Sequence, residues 1–513
     1  MGTPATGGVW IQGTIGDANT LLPVLATDSA SFDVIGRVFC KLLEYDGQLE
    51  LRGDLAERYE VLDEGLRLRF YLREGARWHD GESVTAADVK FSYDLLMDED
   101  TPSPYKSRFA RVSSLQVVDR HTVEVRYDEP FAPALNSWAS SFYVMPKHLL
   151  AGEDLLTTKF ARNPVGCGPY KFVNWESQRE IKLRANDDYY RGRPNIDETM
   201  YRIIPDQATM FLELLNHGVD QMGLTPEQYR YQAKGKRFDD HFRRYRYTGF
   251  NYTYLGFNLR REKFADRNVR RALAHAVDKQ EIVDGVLLGL GETATGPYRP
   301  GMWYHTSDVS EPEFDPERAR ALLAQAGWKD ADGDGIRERD GERFSFTMLT
   351  NQGNQQRKQV GEILQARFKD VGVEAELRIL EWSTFLNEFV DKHRFDAVIL
   401  GWGTGIDPDQ YLIWHSSKTG PKEFNFIGFS NARVDALLEQ GRSTFDRDER
   451  AAAYHELQKI LAWEQPYVFL YIPESTPAVH RRVQGIEPAP AGIGYNFERW
   501  WIPKSLQGFH RAP

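Results

Sequence analysis

A chain of 513 residues exceeds what one hydrophobic core usually holds, so two or three domains are expected. With 41% hydrophobic and 27% charged residues the composition is that of an ordinary globular protein, and a formal net charge of −11 argues against nucleic acid, which needs a basic partner surface. No stretch approaches the length of an apolar membrane span. The start, Met1 to Gly8, lacks the charged and apolar regions of a signal peptide, so export is neither shown nor excluded by it. Cys40 and Cys167 make no disulfide framework and have no metal-ligand spacing; they could pair, but buried free thiols are the expectation.

Along the chain, Leu66, Leu68, Phe70 and Leu72 alternate with Arg67, Arg69, Tyr71 and Arg73, which predicts a strand with one apolar face. Trp78-His79-Asp80-Gly81 reads as a turn, and neighbours such as His79 and Asp80 rarely form a catalytic pair. Thr85 and Asp88 have capping-box spacing and open a helix to about Met97. Strands are expected at 122–127, 180–184 and 200–204, and the Phe242–Tyr247 run of bases and aromatics reads as a solvated strand. Residues 268–283 read as one amphipathic helix. Asp315-Pro316 caps another that ends at Gly327.

From residue 355 helices and strands alternate: helix 355–369, strand 374–380, helix 383–393, the apolar run Phe395–Leu400, helix 446–463, strand 467–472. That order predicts a largely parallel α/β sheet, whereas the earlier part has α+β character. Directly after Leu400 comes GWGTGIDPDQY, Gly401 to Tyr411, at a strand's carboxyl end, where open α/β sheets bind ligands. Trp402 offers a flat plate, Gly403 close backbone approach, and Asp407 and Asp409 charge. An ordinary surface turn rich in Asp and Pro fits the same residues.

Several blocks, in order, carry a resemblance. Asp54-Leu55-Ala56-Glu57 precedes LRLRFYLREGARWHDGESVTAADVKFSYD, Leu66 to Asp94. Val165-Gly166-Cys167-Gly168-Pro169-Tyr170 resembles a Gly-Thr-Gly-Pro-Tyr turn, with Cys167 replacing Thr. Leu255-Gly256-Phe257-Asn258 precedes FADRNVRRALAHAVDKQEI, Phe264 to Ile282, and FDPERARALLAQAGW follows, Phe314 to Trp328. Over essentially its whole length the chain resembles the family 5 extracellular solute-binding proteins, which include the dipeptide- and oligopeptide-binding proteins of bacteria. The resemblance implies an α/β, bilobed, type II periplasmic-binding-protein fold with an extra α+β domain. Lobe one would comprise 1–45, 165–260 and 480–513, the inserted domain 46–164, and lobe two 261–479, with hinge crossings near Leu255–Asn258 and Val479–Gly485. It implies a monomer, periplasmic or cell-surface tethered, that closes on a small-molecule or peptide ligand and delivers it to ABC transporter permease domains, with no cofactor required.

Peptide is the expected ligand; an oligosaccharide or opine is the alternative, for which plates such as Trp382, Trp402 and Trp414 would suffice. Ligand contacts are expected from Trp402, Gly403, Asp407, Arg357, Tyr252 and Trp382. The dipeptide-binding members hold the peptide ammonium with an aspartate three residues after the corresponding Trp. Here that position is Gly405, so Asp407 takes over or the ligand has no free amino terminus there. Arg357, at a helix start, could hold a carboxylate bidentately, or be a solvated helix-end arginine. A hydrolase is the remote alternative: there is no Gly-x-Ser-x-Gly, no His-Glu-x-x-His and no phosphate-binding glycine loop. Asp330, Asp332 and Asp334, followed by Gly335, match half of a calcium loop, but position twelve is Gly341, so Ca2+ there would be structural.

Overall fold

The computed structural model describes residues 3–508, so the first two residues of the 1–8 start and the last five of segment 480–513 lie outside it. The described chain divides into two compact units. One runs to Leu224 and includes Ala233–Tyr247 and the chain from Thr476; the other is Thr225–Gln232 with Thr248–Ser475.

The first unit is built on a seven-stranded sheet in the order Phe242–Arg244, Pro477–His480, Gln221–Gly223, Val9–Thr14, Glu198–Ile203, Glu180–Ala185, Tyr170–Glu176. Val9–Thr14 is parallel to both its neighbours, and the flanking pairs are antiparallel. A buried ion pair locks its centre. The Arg482 guanidinium donates to both Asp220 oxygens at 2.6 Å and to the Val9 carbonyl, while Asp220 also accepts the Ile11 N–H. A four-stranded antiparallel sheet of the same unit, Ala56–Leu62, Arg67–Leu72, Thr122–Tyr127 and Val112–Asp119, lies within the span expected for the insertion. The alternation read at 66–73 holds over the strand: Leu68, Phe70 and Leu72 are buried, and Arg67, Arg69 and Tyr71 are not. The capping box is formed, Thr85 N–H and hydroxyl both donating to Asp88.

The expectation of free thiols is wrong: Cys40 and Cys167 form a disulfide that spans 127 residues. The turn at 166–168 is held against the end of helix Ser29–Val38, where a side chain at Gly166 would meet the Val38 carbonyl. Gly168 N–H donates to that same carbonyl at 2.8 Å. This close approach brings the two cysteines to a Cα separation of 5.3 Å, within bonding range. His79 braces the same turn, its Nδ1 accepting the Gly166 N–H and its Nε2 within 3.0 Å of the Gly168 carbonyl.

The second unit has a mixed sheet, not the largely parallel one expected. Glu374–Leu380, Ser345–Asn351 and Ala397–Gly403 run parallel, but Asn251–Phe257 pairs antiparallel with Ala397–Gly403 and with Tyr467–Ser475. The boundaries move accordingly. Asn251–Phe257 is a central strand of this sheet, so lobe one ends before 260, and Pro477–His480 belongs to the other sheet, so lobe two ends before 479. The helix read over 268–283 is two, Arg267–His275 and Lys279–Gly285, because Asp278 turns its carboxylate to the Glu281 N–H and caps a fresh start. Residues 383–393 form one α turn and a π-helical segment, Phe385–Val390.

Candidate ligand-binding site

The parallel strands Ser345–Asn351, Glu374–Leu380 and Ala397–Gly403 end side by side, and of the predicted ligand residues Arg357, Trp382, Trp402 and Gly403 lie at those carboxyl ends. Arg357 enters from the helix Gln355–Asp370, whose start is capped by Asn354 accepting the Arg357 N–H. The guanidinium reaches back to the strand ends, Nη1 donating to the Asn351 side chain at 2.8 Å. Nη2 lies against Gly401, where a Cβ would come within 2.9 Å of it; glycine there lets the arginine pass. Nε is buried with no hydrogen-bond partner, and no ion pair to Arg357 is found among the described residues. Burial lowers the Arg357 pKa below the usual arginine value, with Tyr471 and Tyr254 opposing. A half-buried cation without a counter-ion is favourably placed to receive an anionic group.

Trp402 is half-buried. Its ring stands over Phe424 and Phe426 at 5.3 and 5.8 Å, and its Nε1 donates to the Tyr467 hydroxyl at 3.3 Å. One part of the indole is thus anchored in the core and the rest is left as a wall. Gly403 is exposed, with open space where a side chain would stand. Trp382, just beyond Glu374–Leu380, is half-buried, and its indole N–H is buried without a partner. Arg357 Nε and Trp382 Nε1 are therefore two unsatisfied donors at one sheet end. Together these groups offer a cation, two donors, an aromatic wall and accessible backbone, which suits an anionic terminus on an amide-rich ligand.

Residues 50–423 match the family described as bacterial extracellular solute-binding proteins, family 5 Middle. The chain belongs to this family. It is 34% identical over 510 residues to the oligopeptide-binding protein AppA of Bacillus subtilis, covering 98% of this chain and 93% of that one. The solved structure of AppA from Bacillus subtilis in complex with a nonapeptide matches with a TM-score of 0.94 at 33% identity, over 98% of this chain and 100% of that one. NikZ from Campylobacter jejuni, in complex with Ni(L-His), matches with a TM-score of 0.87 at 27% identity, over 96% and 99%. The fold is that of the type II periplasmic binding proteins, as the resemblance implied.

For this family 5 member four sequence-based assignments need correction. Asp407 is not free to receive an ammonium group, because both its oxygens accept from Arg450 Nη2, at 3.0 and 2.9 Å. Asp409 is likewise held by Arg442, at 3.0 and 2.8 Å, and that pair is almost wholly buried. The Asp-Pro-Asp turn is a clasp between the loop and the helices Ala432–Ser443 and Arg447–Glu464. Tyr252 is core: it stands opposite Trp402 in the register and is 2% exposed, packed against Tyr254 and Phe469. Trp414 is also core, packed on Phe429 and Tyr467. Asn351, which orients Arg357, was missed. It ends a strand, and only its parallel register with Glu374–Leu380 puts it at the site.

The Asp330–Glu338 turn brings one oxygen from each of Asp330, Asp332, Asp334 and Glu338 within 4.8 Å of the others. The turn is held by its own bonds, Asp330 accepting from Gly333 and Gly335 N–H and Glu338 from Ala331 N–H. Arg343, from the two-stranded hairpin that follows, pairs with Asp334 and supplies positive charge of its own.

Proposed function

We propose that this chain is the substrate-binding component of an ABC importer that captures peptides, fixing the peptide carboxylate at Arg357 and a neighbouring stretch of backbone along Gly403 and Trp402. The carrying observation is the half-buried guanidinium of Arg357 at the carboxyl ends of parallel strands, bonded to the Asn351 side chain and with no carboxylate paired to it among the described residues, in a chain that matches a nonapeptide-bound relative over nearly its full length. With Asp407 and Asp409 clasped, nothing in this loop fixes a peptide amino terminus, which favours oligopeptides of varied length over a dipeptide gripped at both ends.

The ligand is released unchanged to permease domains, and the protein works as a monomer outside the cytoplasm, periplasmic or tethered to the cell surface. The disulfide supports an oxidising compartment. Mass spectrometry of ligand retained by natively purified protein tests the reading. Peptides of several lengths are expected, and calorimetry with one of them should show saturable binding with no product formed. Retained oligosaccharide, or turnover of the peptide, would overturn it. As a subordinate proposal, calcium on the Asp330–Glu338 turn would act in stability alone. A rise in melting temperature on adding calcium, absent in Asp330→Asn, is its test.

A further inference from the structure

Three histidines outside the ligand site meet at one end of the first unit's sheet. His217 stands in the turn between the helix Gln207–Leu215 and the strand Gln221–Gly223, His241 directly precedes Phe242–Arg244, and His480 ends Pro477–His480. Those three strands are neighbours, and Phe242 is the register partner of His480. His480 Nε2 and His217 Nδ1 are 3.2 Å apart. The His217 ring centroid lies 5.1 Å from that of His241 and 5.0 Å from that of His480. One ring nitrogen from each residue falls within 4.8 Å of the other two.

We propose that His217, His241 and His480 form a binding site for a divalent transition-metal ion, zinc by preference, with a fourth position left to water. Imidazole nitrogens suit zinc and its neighbours rather than calcium or magnesium. A tetrahedral zinc with bonds of about 2.0–2.1 Å holds its nitrogens about 3.3 Å apart. The His480–His217 pair already has that spacing. His241 is exposed, and a shift of its ring by about 1.5 Å closes the triangle. Asp220, whose backbone carbonyl accepts the His480 N–H, has its carboxylate held by Arg482 and the Ile11 N–H and stays outside the ligand set.

The metal-free state has a definite tautomer. His480 Nδ1 accepts the Arg482 N–H at 3.0 Å, so the ring proton stands on Nε2 and points at His217. On binding, the Nε2–H bond breaks as the metal–nitrogen bond forms; the proton moves to Nδ1, and the Arg482 N–H loses its acceptor. That lost bond makes micromolar affinity, rather than that of a preformed site, the expectation. Each histidine lies a few residues from a point where the chain passes from one unit to the other, so an ion here would tie together the roots of the crossing segments.

The test uses the full chain without an affinity tag, stripped with chelator, titrated with zinc by calorimetry and with cobalt by visible absorption. One ion per chain is expected, with the cobalt bands of a tetrahedral nitrogen site. His241→Ala, on an exposed side chain, should weaken binding at least tenfold, while His148→Ala and Asp330→Asn should leave it unchanged. No binding at 100 micromolar zinc, about a hundred times the affinity expected, or equal binding in His241→Ala, would overturn the site and leave a hydrogen-bonded histidine cluster. Loss of binding in Asp330→Asn would assign the ion to the acidic turn instead.

Discussion

Arg357 and Asp407 were both read as charges for a ligand, and their partners separate them. Among the described residues Arg357 has one amide partner, Asn351, and no acid, so its charge is available. Arg357→Gln should cut affinity for a free-carboxylate peptide by about 1.5–3 kcal/mol, roughly ten- to a hundredfold. A C-terminally amidated peptide should bind wild type weakly and the variant no more weakly, which calorimetry with the two peptides reads directly. Asp407→Asn should instead leave affinity nearly intact and lower stability by about 3–5 kcal/mol, because it strands Arg450. Urea unfolding monitored alongside binding distinguishes the outcomes. Trp402 belongs between the two. Its replacement by Ala removes both wall and packing, so affinity should fall by about 1–3 kcal/mol together with a loss of stability, whereas Trp402→Phe should recover most of the stability alone.

At the scale of elements, the disulfide turn carries a pH signature. Burial pushes the His79 pKa down to about 4, and the bond to the Gly168 carbonyl only partly opposes it. The unfolded chain takes up that proton near pH 6.5, so the stabilisation is present above 6.5 and is lost as pH falls towards 4, up to roughly 3 kcal/mol. His79→Gln should flatten the stability–pH curve by about one proton across that window in equilibrium unfolding. Local elements were legible where a side chain acts on its own backbone: the Thr85–Asp88 capping box, the Asp315-Pro316 start, the strand Glu374–Leu380. The same logic shows why 268–283 was misread, since Asp278 is both a tolerable helix residue and a good cap. What could not be read was pairing at long range. Strand direction is not written into an apolar run, so Asn251–Phe257 carried no sign of being antiparallel. Asp409 meets Arg442 33 residues on, and Cys40 meets Cys167 across 127. The site was half legible for that reason: a glycine-rich loop after a strand announces itself, but whether its acids are free depends on helices that pack later.

For the whole molecule, family membership carries the expectation that ligand favours a closed form. Small-angle scattering should then show a smaller radius of gyration with saturating peptide than without it, and Arg357→Gln should need more peptide for the same change. An unchanged radius at saturation would count against hinge closure.

The order of synthesis sets a further condition on the sheet of the first unit. Its strand Pro477–His480 slots between Gln221–Gly223 and Phe242–Arg244, which are made more than two hundred residues earlier, and Arg482 then reaches Asp220 and Val9 near the opposite terminus. Until those last residues emerge, neither Gln221–Gly223 nor Phe242–Arg244 has the strand that pairs with it here, and Asp220 lacks Arg482. The chain therefore cannot finish this unit while it is still being made, a high-contact-order delay that keeps it threadable until its C-terminal end arrives. A chain cut before Thr476 should consequently be recovered as aggregate rather than as a smaller folded protein.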